Sequence, residues 1–195
     1  MKNNNSNNFK QDLANEKIYT DAFLQILKDK GCDYTFIEFS SPIKGNHKDF
    51  DVKIKYKNKI KLLELKQQHT HTIKSTGPKY TGNIVIEHTC YGRPSGINST
   101  KSDVWINIIV DKSVGNVKAT DTVYFVISDT QKLRNFIKDN SFFSVSGGDN
   151  SAAQMYLVNI HKHILNKENK STFKVLFKMP IIEWDAIKNN INNSK

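Results

Sequence analysis

Three side chains on two neighbouring apolar segments carry the chemistry this chain can offer. Asp51 lies in Lys48-Asp49-Phe50-Asp51-Val52, and Glu64 and Lys66 in Leu62-Leu63-Glu64-Leu65-Lys66. Side chains alternate faces along a strand, so Glu64 and Lys66 point the same way. Residues 50–56 and 60–66 read as two strands joined through Lys57-Asn58-Lys59, a hairpin. A two-residue turn at Lys57-Asn58 faces Asp51 with Glu64, and one at Asn58-Lys59 faces it with Lys66. Either turn places all three on one face, with Phe50, Val52, Ile54, Leu63 and Leu65 on the other. A three-residue turn breaks the arrangement.

Two carboxylates a few ångström apart raise each other's pKa, and a divalent cation relieves the repulsion. Oxygen donors suit magnesium or manganese. Cys32 and Cys90 lie far apart without paired spacing, which argues against zinc. Such a metal polarises a phosphate and lowers the pKa of a bound water, while a lysine orients that water or stabilises developing charge. The bland alternative is a surface hairpin with a casual Glu-x-Lys, common in any lysine-rich chain.

The elements that position these groups follow from periodicity. Leu13, Glu16, Tyr19, Phe23, Ile26 and Lys30 recur at helical steps, with Gly31 where a C′ glycine belongs. Glu16 sits on the apolar stripe of that helix, and a glutamate facing a sheet needs a partner or a metal. Strands are expected at residues 34–39, 50–56, 60–66, 84–89, 104–110, 122–127, 155–159 and 173–177, and Lys66 then ends its strand. A loop is expected over residues 67–83 and a turn over 92–96. A short helix is expected at 98–103, a longer one at 129–139 capped by Ser128 or Asp129, a turn at Gly147-Gly148, and a last helix from Glu183. No internal repeat or linker divides the chain. An Asn-rich tail over residues 1–10 expected to be disordered, then a single domain over 11–195, gives an α/β (α+β) fold whose central mixed β-sheet is flanked by helices.

Further candidates carry two readings each. Glu87 lies on the apolar strand Ile84-Val85-Ile86, so it is either a third metal ligand or half of a buried ion pair with Lys66 or Lys101. Arg93, in Gly-Arg-Pro-Ser-Gly, and Lys101 either grip a phosphate or face solvent. His69-Thr70-His71 reads mainly as loop decoration, and Trp105 and Trp184 as core.

The order helix-Glu, Asp, Glu-x-Lys resembles the PD-(D/E)xK nuclease superfamily, with Asp51, Glu64 and Lys66 on the motif positions. Glu16 matches the first-helix acid of some members, including Holliday-junction resolvases. Phe50 stands where the family has proline. The segments 81–87, 92–97 and 100–105 are similar to a block found in small phage and viral proteins of this class, and 147–149 with 155–157 to their C-terminal block. The resemblance implies a restriction-endonuclease-like core. It also implies a nuclease hydrolysing phosphodiester bonds in DNA with Mg²⁺ or Mn²⁺, resolvase-like or otherwise structure-specific. Catalytic roles fall to Glu16, Asp51, Glu64 and Lys66, and metal binding to Asp51, Glu64 and Glu87. A protein that kept the fold and binds nucleic acid without cutting is the alternative. Cutting both strands usually needs two active centres, which makes a homodimer one option.

The bulk composition permits this. The net charge is +10 with pI near 9.5, suited to a polyanionic partner such as DNA. Of 29 basic residues only Arg93 and Arg134 are arginine; the lysine and asparagine excess also follows from an AT-rich genome, so the charge permits rather than demands a nucleic-acid partner. There is no export-type apolar segment at the N-terminus and no run long enough to span a bilayer, so a soluble, intracellular protein without a membrane partner is expected. No phosphate-binding glycine loop or Ser-His-Asp pattern supports a small-molecule enzyme.

Overall fold

Lys57 and Asn58 decide the geometry of the molecule's central hairpin. Both have positive φ, 48° and 60°, the left-handed backbone that a two-residue type I′ turn requires at its central positions. The turn joins β2 (Val52–Tyr56) to β3 (Lys59–His71), with Tyr56 facing Lys59, Ile54 facing Lys61 and Val52 facing Leu63. Of the registers the sequence permits, this is the one that brings Asp51 opposite Glu64. The computed structural model describes residues 18–29, 31–40, 49–71, 83–113, 122–147 and 151–180.

The fold is α+β with a mixed central sheet and few helices. Its elements run α1 (residues 18–29), β1 (Tyr34–Phe39), β2, β3, β4 (Asn83–Cys90), β5 (Arg93–Pro94), a 3₁₀ turn (Gly96–Asn98), β6 (Val104–Ser113) and β7 (Thr122–Asp129). After these come α2 (Thr130–Asp139), β8 (Ser144–Gly147), β9 (Ala153–Asn159), a π-helical turn (Ile160–Ile164), a 3₁₀ turn (Lys167–Asn169) and β10 (Phe173–Pro180). The main sheet has the order β1-β2-β3-β6-β7-β10 and a second sheet the order β5-β4-β9-β8. Every pairing is antiparallel except β3 with β6.

A parallel pair needs a crossover, and here the chain makes it by way of the second sheet. The main sheet is therefore covered on both sides. One face packs on α1 through Tyr19, Phe23, Ile26, Val52, Ile54, Leu63, Leu65, Ile106, Ile108 and Phe125. The other face meets β4, β9 and α2 through Trp105, Ile109, Val126, Ile84, Ile86, Leu133, Phe136 and Val158. Residues one step apart on β6 thus belong to different cores.

Local signals explain the helix ends. Gly31 (φ 72°) closes α1, with the Cys32 amide donating to Leu27 O and the Gly31 amide to Lys28 O, the pair of bonds of a Schellman cap. Asp129 caps α2, its side chain accepting from the Lys132 amide at 2.9 Å.

Several boundaries differ from the expectations. β3 runs on to His71 rather than stopping at Lys66, because residues 67–71 keep pairing with β6; Lys66 is a mid-strand residue, and residues 72–82 of the expected loop lie outside the described residues. The expected helix at 98–103 is a single 3₁₀ turn at Gly96–Asn98, since the Lys101 amide donates to Asp49 O instead of to its own segment. β8 was not expected, and Gly147 is its last residue. Glu16, Gly148, Trp184 and the helix from Glu183 lie outside the described residues, as does the 1–10 tail.

Candidate active site

On β3 the residues between Leu63 and Leu65 and beyond point away from α1, towards the second sheet. Glu64 is 5% exposed, far from the usual state of a glutamate. Its Oε1 lies 2.7 Å from Lys66 Nζ. Its Oε2 accepts from Thr100 Oγ1 at 2.8 Å, with Ser102 Oγ at 3.4 Å. Each hydroxyl has one proton, so the shorter contact places the Thr100 proton on Glu64 and leaves Ser102 to Asp49 O at 3.2 Å.

Asp51 stands just before β2 begins. Its amide donates to Leu63 O, and its Oδ2 accepts from the Leu65 amide at 2.7 Å. The carboxylate thus takes the β3 donor that β2 no longer reaches. Lys66 keeps 38% of its side chain exposed, and its Nζ lies 5.9 Å above the centre of the Trp105 ring. Burial works against its charge, but Glu64, then Asp51, and also Glu87 outweigh it and hold the ammonium above the ordinary lysine range. Asp51, Glu64 and Lys66 are therefore one electrostatic unit, to which Glu87 contributes from β4.

Glu87 has a second tie, a hydrogen bond from Ser95 Oγ to its Oε1. Gly96 (φ 48°) passes so close to Glu87 that a Cβ there would strike the Glu87 carbonyl, which accounts for glycine at that position. Of the two expected partners of Glu87, Lys66 is close enough to feel its charge. Lys101 instead pairs with Asp49 Oδ2 at 2.8 Å with its side chain 70% exposed. Arg93 is exposed on the two-residue edge strand β5. Trp105 is fully buried, as expected, and its Nε1 donates to Asn107 Oδ1 at 3.0 Å. His69 and His71 fall inside β3 rather than in a loop.

Sequence reasoning missed the residues that hold Glu64 in place. Arg134 of α2 donates from Nε to Ile97 O at 2.9 Å and from Nη2 to Thr100 O at 2.6 Å. It clamps the segment whose hydroxyls meet Glu64. The available signal was the pair of hydroxyl residues around Lys101, polar positions just ahead of the largely apolar run Val104–Val110.

Among the described residues no group of three or more histidine, cysteine, aspartate or glutamate side chains is close enough to hold a metal by itself. A cleft of about 590 Å³ lined by residues including Lys132, Asn135, Lys162 and His163 lies elsewhere and includes none of the three central residues. Among the described residues, no helix is long and apolar enough to cross a membrane. No protein-family model matches the chain, and neither a curated protein nor a solved structure does.

Proposed function

We propose that the chain is a divalent-metal-dependent nuclease of the PD-(D/E)xK kind, built on a restriction-endonuclease-like core and hydrolysing phosphodiester bonds in DNA. The observation that carries this reading is the register of the β2–β3 hairpin. It sets Asp51 across from Glu64, whose β3 neighbour Lys66 has its Nζ 2.7 Å away.

Asp51 and Glu64 supply oxygen donors only, the type a hard cation prefers. Magnesium is commonly held by one or two carboxylates, with waters and substrate phosphate completing its shell. Two carboxylates therefore fit Mg²⁺ or Mn²⁺ without a third protein ligand, with Glu87 near enough to add charge. When bound, the ion supplies Lewis acidity and an activated water. The chain's own part is positioning. Thr100 orients Glu64, the β3 backbone orients Asp51, and the Trp105 ring and Glu64 hold Lys66, still partly exposed, as a permanent cation for a phosphate oxygen or an attacking water. Glu16, on the resemblance, is a further acid of this centre, and Arg93 and Lys101 are phosphate contacts. A homodimer would supply two centres for duplex cutting, which sedimentation checks.

A second reading, a nucleic-acid-binding protein that does not cut, is favoured by one observation. Both Glu64 oxygens are already engaged, by Lys66 and by Thr100, as in a buried structural ion pair.

One experiment separates the readings. Plasmid, single-stranded and branched DNA are incubated with the protein and Mg²⁺, Mn²⁺ or EDTA, alongside Asp51→Asn, which keeps the oxygen that accepts from Leu65. The nuclease reading expects cleavage with either metal, none with EDTA, and none from Asp51→Asn at unchanged DNA affinity. DNA binding without cleavage under every condition supports the second reading. Full activity in EDTA or in Asp51→Asn refutes the site.

A further inference from the structure

Behind the segment that holds Glu64 lies a cavity of about 390 Å³. It is lined by Ile97 and Asn98 of the 3₁₀ turn, Arg134, Ile137 and Lys138 of α2, and Tyr156 of β9. Each polar side chain of that lining carries a hydrogen-bond donor, two of them are cations, and none is an acid. The 590 Å³ cleft differs in kind, because Asp139 and Glu168 line it beside its lysines.

Arg134 and Lys138 stand one turn of α2 apart and so share a face. Lys138 has an ordinary reason to be there, since a cation in the last turn meets the negative end of the helix dipole. Arg134 has no such reason for its charge. It donates from Nε to Ile97 O and from Nη2 to Thr100 O, and carbonyls accept protons without neutralising a guanidinium. Further N–H donors of the fork remain. Among the described residues neither Arg134 nor Lys138 pairs with a carboxylate.

Donors that converge on a cavity without an acid select an anion, and a planar fork with donors to spare selects an oxyanion that it meets at two points. Ile137 and the half-buried Tyr156 give the same cavity an apolar wall. A hydrated inorganic ion gains nothing from such a wall, whereas a nucleotide sets its sugar or base against it. The place in the fold fits as well. Arg134 Nη2 reaches Thr100 O at 2.6 Å, and Thr100 Oγ1 reaches Glu64 Oε2 at 2.8 Å, so the cavity backs on the residue that positions the Glu64 carboxylate.

We propose that this cavity is a nucleotide-phosphate subsite, in which Arg134 and Lys138 take the phosphate while Tyr156 and Ile137 take the attached nucleoside. The phosphate comes on a free nucleotide or as one unit of a strand, and the recognising chemistry is the same. Only the strand as source rests on the nuclease reading above.

The test is a titration of the full chain in EDTA, followed by the NMR signals of the residue 97–100 and Tyr156 amides and of Arg134 Nε–H. The ligands are inorganic phosphate, a nucleoside 5′-monophosphate, acetate and a short single-stranded oligonucleotide. The monophosphate should shift these signals and bind about tenfold more tightly than inorganic phosphate. Lys138→Gln, at an exposed position without a carboxylate to lose, should weaken it about threefold. Arg134→Lys, which keeps the charge but not the fork, should weaken it about tenfold. Lys162→Gln, in the larger cleft, should leave it unchanged. An oligonucleotide that binds more tightly than the monophosphate through the same residues identifies a strand as the source, and equal binding identifies the free nucleotide.

The proposal is overturned if the monophosphate leaves these signals unmoved, if it binds no more tightly than inorganic phosphate, or if acetate competes as well as phosphate. Unchanged affinity in Lys138→Gln also overturns it, and that variant decides the matter if Arg134→Lys fails to fold. A nucleotide site that obeys these variants in a protein that never cuts DNA sustains the proposal and rejects only the nuclease; metal-dependent cleavage with a cavity that takes no nucleotide does the reverse.

Discussion

The two faces of the main sheet are written in the same strands one residue apart, yet they are built on different chemistry. Towards α1, Leu63, Leu65, Ile106 and Ile108 pack together in one apolar cluster. Towards the second sheet the alternate positions include the apolar Trp105 and Ile109, but also Glu64, Lys66, Gln68 and Asn107, each with a partner. Gln68 donates to Asn83 O at 2.7 Å and accepts from the Val85 amide at 3.0 Å. Asn107 donates to Val85 O at 3.2 Å and accepts from Trp105. These two stitch the main sheet to β4 and are explained by the pairing they complete. Glu64 and Lys66 stitch nothing across to β4; they satisfy each other and sit where the polar row opens to solvent. A folded core needs no such pair, since replacing a buried ion pair by apolar groups is often neutral or stabilising. The contrast separates polar residues that join the main sheet to β4 from a pair held by its own charges and by Thr100.

The largest expected effect breaks the apolar face. Ile108 is fully buried in the α1 cluster, so Ile108→Ala should destabilise by about 2–5 kcal/mol, the cavity included. Denaturant melts measure it, and the folded fraction should bind DNA as wild type does. A loss below about 1 kcal/mol would show that this face tolerates vacancies and is no tight core.

The next effect lies on the polar face. Lys66→Ala leaves the Glu64 carboxylate nearly buried with the Thr100 hydroxyl as its best partner. A fully buried broken pair costs about 3–5 kcal/mol; Lys66 is 38% exposed, so water repays part, and about 1–3 kcal/mol is expected. Adding Glu64→Gln removes the stranded charge and should restore about half of the loss. The double-mutant cycle reads the coupling directly, and additive losses would contradict an ion pair that satisfies itself.

Much of this contrast was legible in the sequence, for a physical reason. Alternation is a property of the strand itself, so the separation of Leu63 and Leu65 from Glu64 and Lys66 follows once residues 60–66 form a strand. Lys57-Asn58, with an asparagine that tolerates positive φ, offered the two-residue turn that fixes Asp51 against Glu64. What failed depended on partners distant in sequence. The extension of β3 to His71 comes from β6, some forty residues later, and nothing in Gln67-Gln68-His69 announces it. Thr100 became the hydroxyl partner of Glu64 because Asp49 and Arg134 hold its segment, two contacts that local propensity does not encode. Of the second sheet, β4 and β9 were visible as separate strands but not as a sheet, because their antiparallel pairing spans a separation no turn signal bridges.

A smaller effect sharpens the polar face. Thr100→Val keeps shape and removes the hydroxyl at 2.8 Å from Glu64 Oε2. A hydrogen bond to a charged group contributes about 1.5–3 kcal/mol, but Ser102 Oγ at 3.4 Å can swing in, so the expected loss is about 1 kcal/mol. Thr100→Ser should be near wild type. If Thr100→Val matched Lys66→Ala in cost, the hydroxyl rather than the ammonium would be the principal partner of Glu64.

The smallest expected effect belongs to the second sheet, where a titratable group carries no such pairing. His88 of β4 stacks on Tyr156 with ring centres 4.1 Å apart, and its Nε2 lies 2.9 Å from Ser144 Oγ. Burial lowers its pKa, and the neighbouring Glu87 opposes that only in part. The sign follows from linkage. A histidine whose folded pKa lies below its unfolded value near 6.5 binds its proton more readily when unfolded. The stability tied to the neutral ring is then complete above about pH 6.5 and is lost as pH falls through the folded value. Wild type should therefore lose Tm between pH 7.5 and 5.5 slightly faster than His88→Gln, which keeps a polar end for Ser144 and has no proton to take up. Lys66, whose pKa is raised, should contribute nothing over that interval, because its stabilising charge is complete below its ordinary value and is lost only on the alkaline side. Parallel melting curves for wild type and His88→Gln would mean that protonated His88 is tolerated beside Glu87, and that the second sheet too holds an ion pair in acid.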